Sequence, residues 1–167
     1  MKRFKSFLFE VSELSWNSNA TVGWWRNNDV LTVYHGTHVK NIESVLKNGL
    51  TVKDPTTGMI SLALEPSTSR GYAAMSGEYN FRSAGAKAKV VPIEDRVVFV
   101  LKIPMKWIEE NLDPRLGGNI GMAKDKLSNK DLYDKWARTD SEYYQLTELR
   151  VKKEVPAKFI KGYMLSK

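Results

Sequence analysis

The sequence predicts an α+β domain in which short strands outnumber a few short helices. Residues 30–34 alternate partly between apolar and polar side chains and are rich in β-branched ones, as half-buried strands are. Residues 97–101 read VVFVL, the continuous apolar run of a strand covered on both faces. Between them, apolar residues recur at the spacing of one helical face over residues 39–46. A chain of 167 residues suits one domain with a real core.

The remaining elements follow in chain order. The helix over residues 38–48 ends at Gly49, which suits a left-handed C-cap, and Leu50 closes against it. The other predicted strands cover residues 59–64, 148–151 and 162–165, and the other predicted helices residues 66–75, 104–111 and 130–138. Residues 77–88 are small and polar and predict a mobile loop. Residues 116–121 are glycine-rich but lack the Lys-Ser/Thr pair of a phosphate cradle, so they predict a plain loop.

Composition narrows the function classes. The chain has no cysteine, which excludes thiolate metal sites, disulfides and cysteine nucleophiles. Its two histidines argue against a metal site built from several histidines. No apolar run approaches the roughly 20 residues of a membrane span. The net charge of +7 favours acidic partners such as a nucleotide, nucleic acid or an acidic protein. Basic and acidic residues are mixed along the chain, as on a solvated surface. We expect a monomer with neither a metal nor a membrane partner.

Three short motifs carry chemistry-bearing side chains. Residues 34–37 read YHGT at the end of the first predicted strand. Ser69 and Tyr72 lie three apart in the helix after the second strand, and Glu148 heads a late strand. Each has an ordinary structural interpretation taken alone: a turn histidine, a buried helix tyrosine and a salt-bridged strand-end glutamate.

Together, and with the helix ending in Gly49-Leu50, these motifs resemble the ADP-ribosyltransferase superfamily, on the side of the poly(ADP-ribose) polymerases and diphtheria toxin. There a strand ends in His-Gly-Thr, a helix ends in Gly-Leu, a second strand leads to a helix with Ser-x-x-Tyr, and a late strand opens with glutamate. The resemblance covers about residues 30–165. It implies an ADP-ribosyltransferase-like split β-sandwich over residues 29–167, preceded by a lead-in segment at residues 1–28.

The resemblance also implies that NAD binds as a substrate. His35 would hydrogen-bond the adenosine ribose, and Gly36 would offer its backbone N–H and C=O to the nicotinamide carboxamide, which requires close approach. Thr37 completes this motif. Ser69 could hydrogen-bond the carboxamide, and Tyr72 would stack on the nicotinamide ring.

Glu148 would bond the nicotinamide-ribose 2′-hydroxyl and stabilise the cationic sugar that forms as nicotinamide leaves. Cleavage of this glycosidic bond develops oxocarbenium character, and a nearby carboxylate lowers that barrier electrostatically. The leaving group is already a pyridinium, so no general acid is required. Glu148 and His35 are the candidate catalytic residues, and Glu142 competes with Glu148.

The sequence departs from the family pattern at two positions. Ser61, a candidate NAD-binding residue, stands where these relatives often carry a tyrosine that would form the second face of the nicotinamide sandwich. It is equally an ordinary strand residue. Leu146 stands where the arginine-modifying branch has an acidic residue, which argues against arginine as the acceptor. Tyr143, Tyr144 and Gln145 could form the acceptor-facing loop. We expect transfer of a single ADP-ribose unit.

Residues 1–10 resemble the short leader of internal head proteins of large tailed bacteriophages, which is cut after a glutamate such as Glu10. A first helix or edge strand is the alternative. A packaged enzyme would enter the host cytoplasm with the genome and modify a host protein, although a nucleic-acid acceptor stays open.

Two other functions remain. One is a non-catalytic basic module of the same fold that attaches to nucleic acid or a capsid component. The other is an RNA 2′-phosphotransferase, a branch that depends on several basic residues in its cleft, and the sequence shows no matching set of basic residues.

Overall fold

A computed structural model of the chain describes residues 11–16, 30–51, 53, 58–74, 90–112 and 148–166. This part of the chain forms a mixed α and β structure around one six-stranded sheet. The strands are β1 (Ser12–Leu14), β2 (Val30–His38), β3 (Ile60–Ala63), β4 (Arg96–Pro104), β5 (Glu148–Val151) and β6 (Ile160–Leu165). The α-helices are α1 (Ile42–Asn48), α2 (Pro66–Ala73) and α3 (Met105–Asn111). Short 3-10 turns cover Val39–Asn41, Ile93–Asp95 and Ala157–Phe159.

The strands lie in the order β1-β6-β4-β2-β3-β5. The two long strands, β2 and β4, pair antiparallel along nine positions in the middle of the sheet. β6 pairs antiparallel with β4, and β1 runs parallel to β6 at one edge. β4 is covered on both faces, and its apolar residues 97–101 are largely buried, as their continuous apolar run predicts. In β2 buried residues partly alternate with half-buried ones.

The sheet nearly divides between β2 and β3. These two strands share one paired position, Tyr34 with Ala63, whereas β3 pairs with β5 at four positions. The described sheet therefore consists of a four-stranded part and a two-stranded part that meet at a single backbone pair.

The main core lies on the face of the sheet that α1 covers. Leu31 and Val33 of β2 and Phe99 of β4 are fully buried there, and apolar side chains of α1 pack against them. The opposite face carries a smaller cluster of Tyr34, Val98 and Met164. Helix α2 covers that opposite face, because its Ser69 backbone touches Gly36 of β2.

Gly49 ends α1 in a conformation that differs from the predicted cap. Its φ is 82°, as only glycine readily adopts, but its ψ of −166° is extended rather than left-handed helical. Its N–H donates to the Val45 carbonyl at 2.8 Å. A Cβ at Gly49 would lie 2.1 Å from the Val155 carbonyl oxygen, so the close packing of the segment before β6 determines this geometry.

The expected mixed architecture, with strands predominating, is confirmed. The more specific split β-sandwich stays a prediction. β2 extends four residues further than predicted, because β4 continues to pair with it as far as His38 and Arg96. His35 therefore lies within a strand and not at a turn. The loops predicted at residues 77–88 and 116–121 and the helix at 130–138 lie outside the described residues. The helices that are described are too short or too polar to cross a membrane.

Candidate functional site

His35 forms a hydrogen bond across the parting of β2 and β3, by which we mean the region next to the Tyr34–Ala63 pair where the two strands no longer pair. Its Nδ1 lies 2.9 Å from the backbone carbonyl oxygen of Ser61. Because a carbonyl oxygen can only accept, Nδ1 carries the proton, and in the neutral ring Nε2 is left as an acceptor. Ser61, a candidate cofactor-binding residue, thus contributes its backbone carbonyl to the site.

Burial lowers the pKa of His35 below its ordinary value of 6.5, and the hydrogen bond to Ser61 opposes that shift only in part. The imidazole is therefore neutral at neutral pH. Its Nε2 can accept a hydrogen bond from a ligand hydroxyl group.

A cavity of about 70 Å³ opens beside His35. It lies between β2 and α1, and the loop after α1 closes its far end. The described residues that line it are His35, Thr37, Asn41, Ser44, Val45, Gly49, Leu50 and Thr51. Most of these side chains are small or carry a hydrogen-bonding group, which suits a polar ligand.

Thr37 and Asn41 form one wall of this cavity. Thr37 is buried, and its Oγ1 accepts a hydrogen bond of 2.9 Å from Asn41 Nδ2. The other histidine, His38, has a structural role: its Nδ1 accepts from the Lys40 N–H at 3.1 Å and caps the 3-10 turn that leads into α1. Of the two histidines in β2, His35 therefore borders the cavity, whereas His38 caps the turn before α1.

Gly36 lies on the other side of β2, directly beneath α2. A Cβ added at Gly36 would stand 1.8 Å from the Ser69 carbonyl oxygen and 3.1 Å from the Ala73 Cβ. The missing side chain therefore allows the α2 backbone to touch the strand. The predicted close approach at Gly36 is made by a helix, and its role toward nicotinamide stays a prediction.

Ser69 has a buried hydroxyl that its surroundings do not explain. The residue is 1% exposed, and its Oγ has no hydrogen-bond partner among the residues that the structure describes. Native proteins pair nearly all buried polar atoms, so such a group points to a missing partner. Tyr72 follows one helical turn later and is half-buried. Tyr34, by contrast, belongs to the core, where burial raises the pKa of its phenol.

Glu148 begins β5, as predicted, and its backbone pairs with that of Ala63. Ala63 in turn pairs with Tyr34, the residue before His35. The backbones of Glu148, on the edge strand β5, and Tyr34, on β2, are therefore two strand spacings apart, about 10 Å, with β3 between them. The side chain of Glu148 lies outside the described part of the structure, as do Glu142, residues 143–146 and the leader at 1–10.

The structure therefore joins the predicted residues in two groups. His35 and Thr37 face the cavity on the α1 side of β2, and Gly36 meets Ser69 on the α2 side. Both groups border the place where β2 separates from β3.

Sequence reasoning missed the part that α1 plays. Asn41 and Ser44 line the cavity, and Asn48 Nδ2 lies 3.4 Å from Ser44 Oγ. The signal was a polar stripe at helical spacing, beside the apolar stripe that the periodicity identified. The same stretch of sequence thus builds the core and the cavity wall.

Neither a metal centre nor a family assignment emerges from the described residues. They contain no group of three or more His, Asp or Glu side chains that could hold a metal ion. No family model and no curated protein sequence matches the chain. Any functional inference therefore depends on the geometry around β2.

Proposed function

We propose that the chain is an NAD-dependent ADP-ribosyltransferase that transfers one ADP-ribose unit to a host protein and releases nicotinamide. The observation that carries this proposal is the buried Ser69 hydroxyl, which has no hydrogen-bond partner among the described residues and lies one helical turn before Tyr72. A carboxamide offers both a donor and an acceptor, so it can pair with this hydroxyl. An aromatic ring beside it suits a flat heterocycle.

The α1 side of β2 supports the other half of the same ligand. Neutral His35 presents an acceptor in Nε2, and a ribose hydroxyl is a matching donor. The cavity beyond it is lined by hydroxyl and amide groups, including those of Thr37, Asn41 and Ser44. NAD has hydroxyl-rich riboses between two ring systems, which fits one polar cavity and one aromatic contact.

The near-division of the sheet supports the split β-sandwich. A single backbone pair joins β2 to β3, and beyond it a side chain, His35, makes the connection to Ser61. We place the proposed cleft where the pairing of β2 with β3 stops, next to the polar cavity beside His35. The proposed fold would place the dinucleotide there.

The proposed chemistry needs one bond broken and one formed. The bond between ribose C1′ and the nicotinamide nitrogen breaks, and its electron pair leaves with neutral nicotinamide. A nucleophile of the acceptor protein bonds to C1′ and loses its proton to water. Glu148 would stabilise the cationic sugar between these events, as preorganised charges do in low-dielectric sites.

Labelled NAD tests this proposal. Incubation with a host-cell lysate should transfer label to a discrete protein band, and Glu148→Gln should reduce that transfer by at least about 100-fold. Glu94→Gln, which alters an exposed carboxylate in a 3-10 turn, is the matched control and should retain transfer. Both variants should melt within about 2 °C of the parent chain. Full transfer by Glu148→Gln would contradict the catalytic assignment.

A second candidate is a non-catalytic module of the same fold that binds nucleic acid or a capsid component. Four lysines, Lys152, Lys153, Lys158 and Lys161, are exposed within ten residues around the β5–β6 connection. Ser61 in place of a ring-stacking tyrosine also favours it. Such a module would show no NAD-induced rise in melting temperature, and its affinity for a DNA or RNA oligonucleotide would fall steeply with salt.

The proposed place of action is the host cytoplasm after delivery in a virion. It depends on the leader at residues 1–10. Mass measurement of the chain recovered from virions tests it, since cleavage after Glu10 should leave a protein that begins at Val11. Recovery of the uncut chain would remove the support for packaging.

A further inference from the structure

Residues 11–16, the described part of the chain before β2, are anchored at the edge of the sheet opposite β5. β1 runs parallel to β6, with Ser12 opposite Gly162 and Leu14 opposite Met164. A Cβ at Gly162 would lie 2.6 Å from Leu14 Cδ1, so the Leu14 side chain lies directly over this glycine. This anchor determines where Trp16, two residues beyond β1, enters the structure.

Trp16 connects that anchor to the helix of the candidate site. Its side chain packs against the small cluster of Tyr34, Val98 and Met164 on the α2 side of the sheet. The guanidinium carbon of Arg70 lies 4.5 Å from the centroid of its ring, within the range of a cation–π interaction. Arg70 follows Ser69 directly in α2. One tryptophan therefore touches both the sheet and the site helix.

We propose that Trp16 is a positioning residue that holds α2 against the sheet through Arg70, and thereby keeps Ser69 in contact with Gly36. The contact at Gly36 leaves no slack, because the Ser69 carbonyl already occupies the space of a side chain. A shift of α2 by about 1 Å would separate the two backbones and displace the Ser69 hydroxyl, and displacements of that size can weaken a site strongly. The effect on NAD rests on the proposed function, whereas the effect on α2 does not.

A purely structural tryptophan would behave differently. Trp107 in α3 is such a residue: it is half-buried and packs edge-on to Phe159 at 5.7 Å, against the main core. Removal of either indole should lower the melting temperature. Removal of Trp16 should in addition loosen α2 and weaken NAD binding, and removal of Trp107 should do neither.

Hydrogen–deuterium exchange of the full chain separates these effects. In Trp16→Ala the α2 amides should exchange faster, while the β4 amides in the same sample keep their protection. The KM for NAD should rise about fivefold, with a smaller change in kcat, in line with the loss of one cation–π contact. Trp16→Phe keeps an aromatic face for Arg70 and should recover part of both effects. Trp107→Ala is the control.

Unchanged exchange of α2 in Trp16→Ala would overturn the proposal. If that variant fails to fold, Arg70→Met serves instead, because it removes the guanidinium and leaves the indole in place. Unchanged exchange of the α2 amides in Arg70→Met would also overturn the proposal. A parent chain that shows no NAD-induced change would instead overturn the proposed function. The α2 exchange would still decide the role of Trp16.

Discussion

The two faces of β2 differ in whether their polar side chains have hydrogen-bond partners and in how much open volume lies beside them. On the α1 side, His35 and Thr37 have hydrogen-bond partners, and a cavity of about 70 Å³ stays open beside them. On the α2 side, Gly36 leaves no space beneath the helix, and the Ser69 hydroxyl is buried without a described partner. One side therefore offers volume and the other an unmet hydrogen bond. A single ligand at the parting of β2 and β3 would make use of both.

The variant expected to have the largest effect adds a methyl group on the face of β2 that α2 covers. Gly36→Ala would place a Cβ 1.8 Å from the Ser69 carbonyl oxygen. Since backbone cannot move aside as a side chain does, α2 must shift, and we expect a loss of about 3 kcal/mol in the free energy of unfolding. NAD-induced stabilisation should disappear as well. Urea unfolding with and without NAD measures both quantities.

Gly71→Ala is the matched control, because it adds the same methyl group to the helix itself. A Cβ at Gly71 meets no atom within 4 Å. Alanine is the better helix former, so this variant should gain about 0.5–1 kcal/mol in stability. If Gly36→Ala is as well tolerated as Gly71→Ala, the close contact between β2 and α2 is wrong.

The unmet hydrogen bond itself gives the next largest effect. Ser69→Ala removes a buried hydroxyl that has no described partner, so the free chain should be equally stable or more stable by about 1 kcal/mol. The affinity for NAD should fall about tenfold, as for the loss of one buried hydrogen bond. Calorimetric titration with NAD and urea unfolding show whether the two effects separate. Equal losses of stability and affinity would mean that Ser69 is a structural residue.

Local patterns predicted the elements on both sides of β2. The apolar run at 97–101 and the helical spacing over 39–46 depend on neighbouring residues. β4 appears where that run indicates, whereas α1 begins only at Ile42, after a 3-10 turn over Val39–Asn41. β1 was not predicted, since its three residues are all exposed and show no periodicity. Its place is determined by pairing with β6, about 150 residues away. A single sequence carries little information on such a distant partner.

The contacts of the candidate site were predictable only in part, and the roles of its residues toward a ligand stay predictions. The motifs identified His35, Gly36 and Ser69, and the structure gives each a specific contact. They could not show that Gly36 touches α2, because that contact joins two elements through tertiary packing. The Ser61 carbonyl was also missed, because a backbone atom has no signature in the sequence.

The pH dependence of stability tests the α1 side. The pKa of His35 in the folded chain lies below its ordinary value of 6.5, so the unfolded chain binds the proton more readily. The stabilising effect is complete above pH 6.5 and declines as the pH falls below that value toward the folded pKa. Between pH 7.5 and 5.5 we expect a loss of about 1 kcal/mol that His35→Asn removes, since asparagine can still donate to Ser61. Urea midpoints across this range measure the slope.

His38→Asn is the control for that experiment, because it retains an acceptor for the Lys40 N–H. Comparison of the two variants assigns the slope to one of the two histidines. A slope that disappears in His38→Asn and persists in His35→Asn would contradict the assignment of the pH dependence to His35.

The smallest effect concerns the cavity wall. Asn41→Ala removes the donor to Thr37 Oγ1 and should cost about 0.5–1 kcal/mol, with a similar loss for Thr37→Val, which leaves the asparagine without its partner. Because the two residues share one bond, the double variant should lose less than the sum of the single losses. NAD-induced stabilisation should fall in all three variants if the ligand fills the cavity. If it is unchanged in all three, NAD binds on the α2 side alone, and the open volume beside His35 serves another purpose.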